Sequence, residues 1–402
     1  MARRKKPNFN YKPVTINGNQ YYRSFIKNDA GKSVALYGKT LNELCEKVDA
    51  TKEKFEKNLL HKASPTVEEY CQKWLLMQSA QVRPNTMTDY RSKVKNYIIK
   101  PLGSKRIADV TTDDIRLALI PASQKSASVF KSVNVLYRCI FNSAEDNRII
   151  DYNPTRYLPK KDGGIPQRER EALTDAQVER LLETIRDLPP YVFVMLGLYA
   201  GLRREEILGL QWDCVFLDTD TPYLTVKRAW RTENNRPIIS TGLKTKASRR
   251  TIPLPEPLID CLREAKMKSR SPYVVANRDG NPLTYCQFQR LWKWIVTRTA
   301  LPRKARKKVG NKYVKYMLYP QLGEAARNNG HVIYSLDFKV TPHQLRHTYI
   351  TNLIHAGVDP KTVQYLAGHE TSQITMDIYA KVKYKRPKEV ATALEGVFSN
   401  WT

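Results

Sequence analysis

The chain contains a set of side chains that together could cleave a phosphodiester bond. They lie in four separated segments and comprise a phenol, two guanidinium groups, two imidazoles and an amine: Arg203, Lys244, His343, Arg346, His369 and Tyr379. Such cleavage without a metal needs a nucleophile, cationic donors for the charge that develops on the non-bridging oxygens, and an acid for the leaving oxygen. These residue types supply all three, so the sequence predicts phosphate chemistry with no metal and no cofactor.

Arg203 and Arg346 are the natural phosphate ligands of this set. A guanidinium group stays charged and presents planar, paired N–H donors that match two phosphate oxygens. Because Arg203 is followed directly by Arg204, an ordinary surface charge remains an alternative for it. Glu206 lies one turn after Arg203, and we expect it to orient or pair with an arginine instead of acting as a base.

The segment around His343 has the signature of a helix start. Thr341 can cap the helix, Pro342 suits its first position, and Gln344 completes a capping box. His343 then lies in the first turn, three residues before Arg346, so both side chains should share one face. A helix N-terminus favours a nearby anion, which indicates a phosphate ligand instead of a buried structural histidine.

His369 follows directly after another predicted helix. Asp359 and Pro360 open this helix, and Gly368 suits a left-handed cap at its end. Tyr379 comes later on a helical pattern, where a lone tyrosine would ordinarily belong to the core. Its phenol makes it one candidate for the nucleophile.

Two positions have competing candidates. Tyr384 is the other possible nucleophile, although it stands between Lys383 and Lys385, beyond the motif. For the general acid, Lys244 lies between β-like segments, in a hairpin whose tip could reach the leaving oxygen. Lys246 is the alternative proton donor, and a plain surface charge remains open for both lysines.

The four segments resemble, in this order, those of the tyrosine recombinase or phage integrase family. Each motif is weak alone, whereas the ordered set is highly specific and spans Leu173 to about Lys383. The motifs are residues 200–210 (AGLRREEILGL), 243–246 (LKTK), 341–347 (TPHQLRH) and 366–369 (LAGH), followed by Ile378-Tyr379.

The resemblance implies a role for each residue. Arg203 and Arg346 hold the phosphate, and His369 donates to it. His343 assists proton transfer with the nucleophile, whereas His347 matches a position that is more often structural.

The resemblance also implies the reaction. A site-specific recombinase of a mobile element would form a 3′-phosphotyrosyl bond through Tyr379, with Lys244 protonating the leaving 5′ oxygen. Strand exchange would pass through a Holliday junction within a homo-tetramer on double-stranded DNA, at element ends and target site. Accessory excision or DNA-bending proteins are possible partners.

The composition agrees with a polyanionic partner. The chain has 68 Lys and Arg against 39 Asp and Glu, a net charge of +29, which favours nucleic acid. No apolar run of membrane-spanning length is present, so no membrane association is expected. The six cysteines are scattered without a C-x-x-C pair, which fits neither a zinc ribbon nor a disulfide scaffold. We expect a cytoplasmic, nucleoid-associated bacterial protein.

The sequence predicts a multidomain, mainly α fold with small β-sheets. Residues 1–62 read as a small β-sheet plus a helix, and residues 63–158 as a helical domain. These regions resemble the arm-site and core-site DNA-binding domains of integrases from conjugative transposons and temperate phages. Residues 159–171 read as a linker, and residues 172–402 as a mixed α+β catalytic domain with a C-terminal tail helix.

Several local patterns refine this division. Alternating residues predict a hairpin within 20–37 and strands within 223–255, whereas the basic segment 302–315 has no clear period and reads as an inserted loop. The apolar-faced tail after Pro387 is expected either to be exchanged between subunits or to pack on its own domain.

Two other classes of protein compete with this interpretation. His343 and His347 have the i, i+4 spacing of a zinc helix, with His355 or His369 as third ligand, but Gln344 replaces the glutamate of that motif. The other is a DNA-binding regulator without activity, which would not need the full ordered set of catalytic residues. The three interpretations differ in whether a covalent protein–DNA adduct forms and in whether EDTA blocks the reaction.

Overall fold

The chain forms two units, residues 1–168 and 169–402. A computed structural model describes residues 11, 13–27, 31–158, 163–166, 171–233, 236–242, 246–310, 312–327 and 329–384. Helices predominate and the sheets are small and antiparallel, which confirms the predicted fold class. Within the described ranges, no helix is long and apolar enough to cross a bilayer.

The first unit begins with a three-stranded sheet and one helix. Its elements are β1 (Pro13–Ile16), β2 (Asn19–Lys27), β3 (Ser33–Gly38) and α1 (Leu41–Ala63). The β2–β3 hairpin and α1 were predicted, but β1 was not. Its signal is the Asn17-Gly18 pair, whose positive φ angles of 49° and 79° suit a two-residue hairpin turn.

The rest of the first unit is helical. Its helices are α2 (Val67–Ser79), α3 (Pro84–Val94), α4 (Lys100–Leu102), α5 (Thr112–Ser123) and α6 (Ala127–Asp146), with a π-helical turn (Lys95–Ile99) joining α3 to α4. Thr66 and Thr111 cap α2 and α5 in complete capping boxes. Helix α3 begins at Pro84, a residue that suits the first helical turn.

Part of the predicted linker is attached to this unit. The Ile165 N–H donates to the Lys125 carbonyl (2.7 Å), and the Ala127 N–H donates to the Ile165 carbonyl (2.9 Å). These bonds tie residues 163–166 to the start of α6.

The second unit contains the remaining elements. Its helices are α7 (Asp175–Ile185), α8 (Tyr191–Tyr199), α9 (Arg204–Leu208), α10 (Glu256–Lys268), α11 (Tyr285–Val296), α12 (Pro342–His355), α13 (Pro360–Ala367) and α14 (Ser372–Tyr384). Its strands are β4 (Val215–Phe216), β5 (Tyr223–Val226), β6 (Ala229–Glu233), β7 (Arg236–Ser240), β8 (Arg250–Pro253), β9 (Arg303–Val309), β10 (Lys312–Leu318), β11 (Ala325–Ala326) and β12 (Asn329–Ile333).

The core of the second unit surrounds α8. This helix is apolar along its whole length and buried on almost every side. It packs against α12 at a position that needs glycine, because a Cβ on Gly197 would lie 2.9 Å from the Leu345 side chain. This close approach sets α12, which carries His343 and Arg346, against the core.

The sheets of this unit are separate small ladders. One sheet has the order β4-β5-β8, while β6–β7, β9–β10 and β11–β12 are two-stranded. The strands predicted within 223–255 are therefore confirmed. The interpretation of 302–315 as a loop is wrong, because the Tyr- and Val-containing strand β10 pairs with the basic strand β9 across a glycine turn.

Two predicted features lie outside the described residues. They are Lys244 and the tail helix beyond residue 384. The domain boundaries at 62, 158 and 171 remain predictions.

Candidate active site

Arg346 is buried inside the second unit. It lies on α12, which starts where Thr341 accepts a hydrogen bond from the Gln344 N–H. The side chain is among the most buried in the unit, at 2% exposure, and it donates to the carbonyl oxygens of Gly201 (2.7 Å) and Ala367. Burial, and then the charge of Arg203, lower the pKa of Arg346 to about 9, so it stays cationic at neutral pH.

Arg203 lies at the start of α9 and is partly exposed. Its backbone N–H and its Nη1 both donate to the Glu206 carboxylate, at 2.9 and 2.7 Å. Its Nη2 donates to the Gly368 carbonyl at 2.6 Å. With about a third of its side chain exposed (34%), Arg203 can meet a ligand from solvent while Glu206 holds its orientation.

Arg250, on β8, is a site residue that sequence reasoning missed. Its fully buried side chain donates to both Glu206 oxygens, from Nη1 (3.1 Å) and Nη2 (2.9 Å), and from Nε to the Leu366 carbonyl (2.7 Å). It stands beside Arg249 in a basic run, which suggests a surface charge. The signal that could have found it is alternation, since Arg250 is in phase with buried Ile252.

The three arginines meet at one end of α13. Each donates to one of three successive carbonyl oxygens, which we call the carbonyl row: Arg250 to Leu366, Arg346 to Ala367, and Arg203 to Gly368. A helix C-terminus carries unsatisfied carbonyls and a partial negative charge, so it attracts cations. The carbonyl row therefore gathers guanidinium groups from three distant segments directly before His369.

Glu206 links two of these arginines, which confirms its predicted pairing role. Burial by itself raises the pKa of this carboxyl. The charge and hydrogen bonds of Arg250, followed by the charges of Arg203 and Arg346, outweigh that effect and lower the pKa to about 2. Glu206 is thus a permanent anion and a poor base.

His369 follows the carbonyl row and is buried, at 7% exposure. The ring Nδ1 of His369 lies 2.9 Å from the Thr375 hydroxyl. The backbone N–H of His369 donates to the Gln364 carbonyl (3.1 Å). Burial first, then the charges of Arg346 and Arg203, lower its pKa to about 4. The imidazole is therefore neutral at pH 7.

Tyr379 lies on α14, one helical turn after Thr375. Residues four apart share a helix face, so the phenol is on the side of α14 that carries the hydroxyl bonded to His369. Its ring is partly buried and packs against a cluster that includes Ile350, Ile354 and Val363.

His343 is exposed in the first turn of α12. An electrostatic interaction with His343 makes a small contribution to the lowered pKa of His369. The predicted capping box is only half formed, because the Gln344 side chain donates to the Glu171 carbonyl instead (3.0 Å). Among the described residues, no group of three or more His, Cys, Asp or Glu side chains could hold a metal.

The chain matches two family models of phage integrase domains. The phage integrase family model matches residues 171–314 and 314–386, more than half of the chain. The N-terminal SAM-like domain of phage integrases matches residues 66–118.

Curated relatives cover most of the chain. A XerC-like tyrosine recombinase of Caldanaerobacter subterraneus is 26% identical, over 95% of this chain and 97% of the relative. The transposase from transposon Tn916 of Enterococcus faecalis is 23% identical, over 76% of this chain and 72% of its own.

Solved structures share the fold. The Tn1549 transposon integrase in complex with a circular intermediate DNA has a TM-score of 0.60 at 20% identity, covering 80% of this chain and 99% of that one. The lambda integrase tetramer bound to a Holliday junction has a TM-score of 0.53 at 15% identity, covering 93% and 96%.

Together, these matches define a class, the tyrosine recombinases, which are site-specific enzymes that break and rejoin DNA strands. The chain belongs to the phage integrase family. The predicted family, fold and enzyme class are confirmed.

Proposed function

We propose that Arg203, Arg346, His369 and Tyr379 form the cleavage site of this recombinase, together with His343 and Lys244. The observation that carries the proposal is the carbonyl row, which holds Arg203 and Arg346 beside the neutral, buried His369. Cations that are already oriented stabilise developing negative charge without reorganising during the reaction.

Each side chain has a defined task on the scissile phosphate. Arg203 and Arg346 donate to the non-bridging oxygens. If the Thr375 hydroxyl donates to Nδ1 of His369, the ring proton lies on Nε2, and that N–H can donate to the phosphate. The 2.9 Å contact between His369 and Thr375 provides the hydrogen bond that this tautomer requires.

The bond changes balance without a further reactant. The Tyr379 oxygen attacks phosphorus, loses its proton, and forms a 3′-phosphotyrosyl bond. The 5′ oxygen leaves, takes up a proton, and becomes a free hydroxyl. His343 accepts the phenolic proton, and Lys244, or alternatively Lys246, supplies the proton for the leaving oxygen.

Trapping on a nicked suicide substrate tests the nucleophile. Wild-type protein should form a covalent adduct in EDTA, Tyr379→Phe should form none, and Tyr384→Phe is the matched control that should retain it. An adduct with Tyr379→Phe, or a wild-type adduct that is lost in EDTA, contradicts the proposal.

The arginine roles have their own measurement. Arg203→Ala or Arg346→Ala should leave much of the DNA affinity but slow cleavage by at least about a hundredfold, the scale of one lost donor to an oxyanion. An arginine whose loss leaves cleavage near the wild-type rate is misassigned.

We further propose how the modules act on DNA in a bacterial nucleoid. Residues 1–62 contact arm sites, residues 63–158 and 172–402 hold a core site, and four copies assemble on the DNA, aided by accessory proteins. The net charge and the assemblies of the similar integrases support this arrangement. Deleting residues 1–62 should weaken arm-site binding and spare core-site cleavage, whereas an unchanged footprint on element ends refutes the arm role.

A further inference from the structure

Strands β9 and β10 form a two-stranded ribbon that projects from the second unit, which we call the basic ribbon. Its strands pair in register from Arg303 with Leu318 to Val309 with Lys312, and Gly310 turns the chain with a φ of 58°. Nearly all of β10 is exposed, and among the described residues neither strand pairs with a third. A free hairpin of this kind is marginally stable in water.

The base of the basic ribbon is fixed to the end of α11. Arg303 Nη1 donates to the Val296 carbonyl (3.1 Å) and to the Thr299 carbonyl (2.7 Å), and its Nη2 donates to the Thr297 carbonyl (3.2 Å). The guanidinium also lies over the Tyr334 ring, 5.4 Å from its centroid. The exposed strands therefore extend roughly 20 Å from a fixed base.

The charge of the basic ribbon has one sign. Residues 303–318 contain basic side chains and no Asp or Glu: Arg303, Lys304, Arg306, Lys307, Lys308, Lys312 and Lys315. Arg306 and Lys315 are directly opposed across the strands. Like charges in opposed positions destabilise a sheet. Arg306 and Lys315 therefore weaken a hairpin that is already marginally stable. A bound polyanion would neutralise both charges and so stabilise the hairpin.

The two faces of the basic ribbon differ. Opposed residues of an antiparallel pair share a face, so the register separates the two sets. The Arg306 face carries the exposed residues Lys304, Arg306, Tyr313, Lys315 and Met317. The Lys307 face carries Ala305, Lys307, Val309, Lys312, Val314 and Tyr316.

We propose that the Arg306 face of the basic ribbon binds duplex DNA, with the ribbon lying in the major groove. The inference rests on the proposed function, which requires the enzyme to hold a duplex. The major groove admits a two-stranded ribbon, its phosphates neutralise the opposed Arg306 and Lys315, and Tyr313 and Met317 offer apolar contact to base edges.

Two double variants of the full-length chain test the proposal at equal net charge. R306A/K315A removes the opposed pair, and K307A/K312A removes two charges from the other face. On a mixed-sequence duplex, R306A/K315A should reduce the slope of log affinity against log salt by about two, one for each lost phosphate contact. K307A/K312A should reduce it by less than half as much.

The same two variants also test whether folding is affected and which class of polyanion the basic ribbon binds. R306A/K315A should melt at or above the wild-type temperature, because it relieves repulsion. Binding to the same sequence as a single strand, and to phosphatidylserine vesicles, should not separate the two variants. Equal slopes for both variants on the duplex overturn the proposal, and so does a difference that appears only on single strands or vesicles.

The suicide substrate separates this proposal from the proposed function. At saturating protein, the wild-type protein and K307A/K312A should form the Tyr379 adduct. Absence of adduct from wild-type protein refutes the cleavage site, whereas wild-type adduct with equal salt slopes refutes only the ribbon contact.

Discussion

Arg250 and Glu206 form a buried ion pair in which both carboxylate oxygens accept from one guanidinium, at 2.9 and 3.1 Å. The two side chains are 0% and 4% exposed. Glu206 in turn holds Arg203, so Arg250 positions a proposed catalytic residue without itself meeting the phosphate.

Replacing Arg250 with Met should destabilise the protein by about 3 kcal/mol, because a buried carboxylate loses one of its partners. Chemical denaturation measures the change. Arg263→Met is the matched control, since Arg263 pairs with Asp260 on the surface and exposed pairs contribute little. An equal loss of unfolding free energy in both variants contradicts the positioning role. In a cleavage assay, Arg250→Lys should restore part of the rate that Arg250→Met loses.

Replacing Thr375 with Val removes the hydroxyl at Nδ1 of His369 and keeps the side-chain volume. Cleavage should slow about tenfold, the worth of one hydrogen bond of about 1.4 kcal/mol. Thr351→Val is the control, because the buried Thr351 hydroxyl has no hydrogen-bond partner among the described residues. If the Thr375→Val variant cleaves as fast as the Thr351→Val variant, Thr375 does not set the tautomer of His369.

The pKa of His369 predicts a stability change in mild acid. Its folded value of about 4 lies below its ordinary value of 6.5, so between these pH values the unfolded chain binds more protons than the folded one. Stability should therefore fall as pH drops from 6.5 to 4. Urea unfolding should show a shallower fall for His369→Asn, and parallel curves for the two proteins would contradict the assignment.

Gly368 should resist substitution more than an ordinary left-handed glycine. Its φ is 61°, and a Cβ there would lie 2.9 Å from Arg250 Nη1 and 3.1 Å from the Ala247 carbonyl. Gly357 has a φ of 78° with nothing near its Cβ position. Gly357→Ala should cost about 1 kcal/mol from strain alone, and Gly368→Ala clearly more, with slower cleavage. Thermal melting and adduct yield compare them, and equal losses refute steric confinement.

Local signals predicted much of the fold. Thr341 with Pro342, and Asp359 with Pro360, gave the starts of α12 and α13, because capping hydrogen bonds are made within one helical turn. The basic ribbon was missed because its many Lys and Arg residues interrupt the apolar pattern, and the Tyr and Val residues of β10 lie on both faces without a period of two.

The site was only partly accessible to the same reasoning. Ordered motifs marked Arg203, Arg346 and His369 as candidates, and the structure brings these three together. The carbonyl row could not be predicted, because its acceptors are backbone atoms that carry no residue identity. Arg250 was missed because its burial depends on a partner, Glu206, far away in sequence.

The carbonyl row couples the three arginines of the site to one short helix. Its acceptors are the last two residues and the C-cap of α13, so local opening of this helix would remove one hydrogen bond from each of the three guanidinium groups at once. A variant that loosens this helix should therefore divide the molecules into two populations, one competent and one inert, instead of slowing every molecule equally. Single-turnover reactions of such a variant would show a reduced amplitude at an unchanged rate constant.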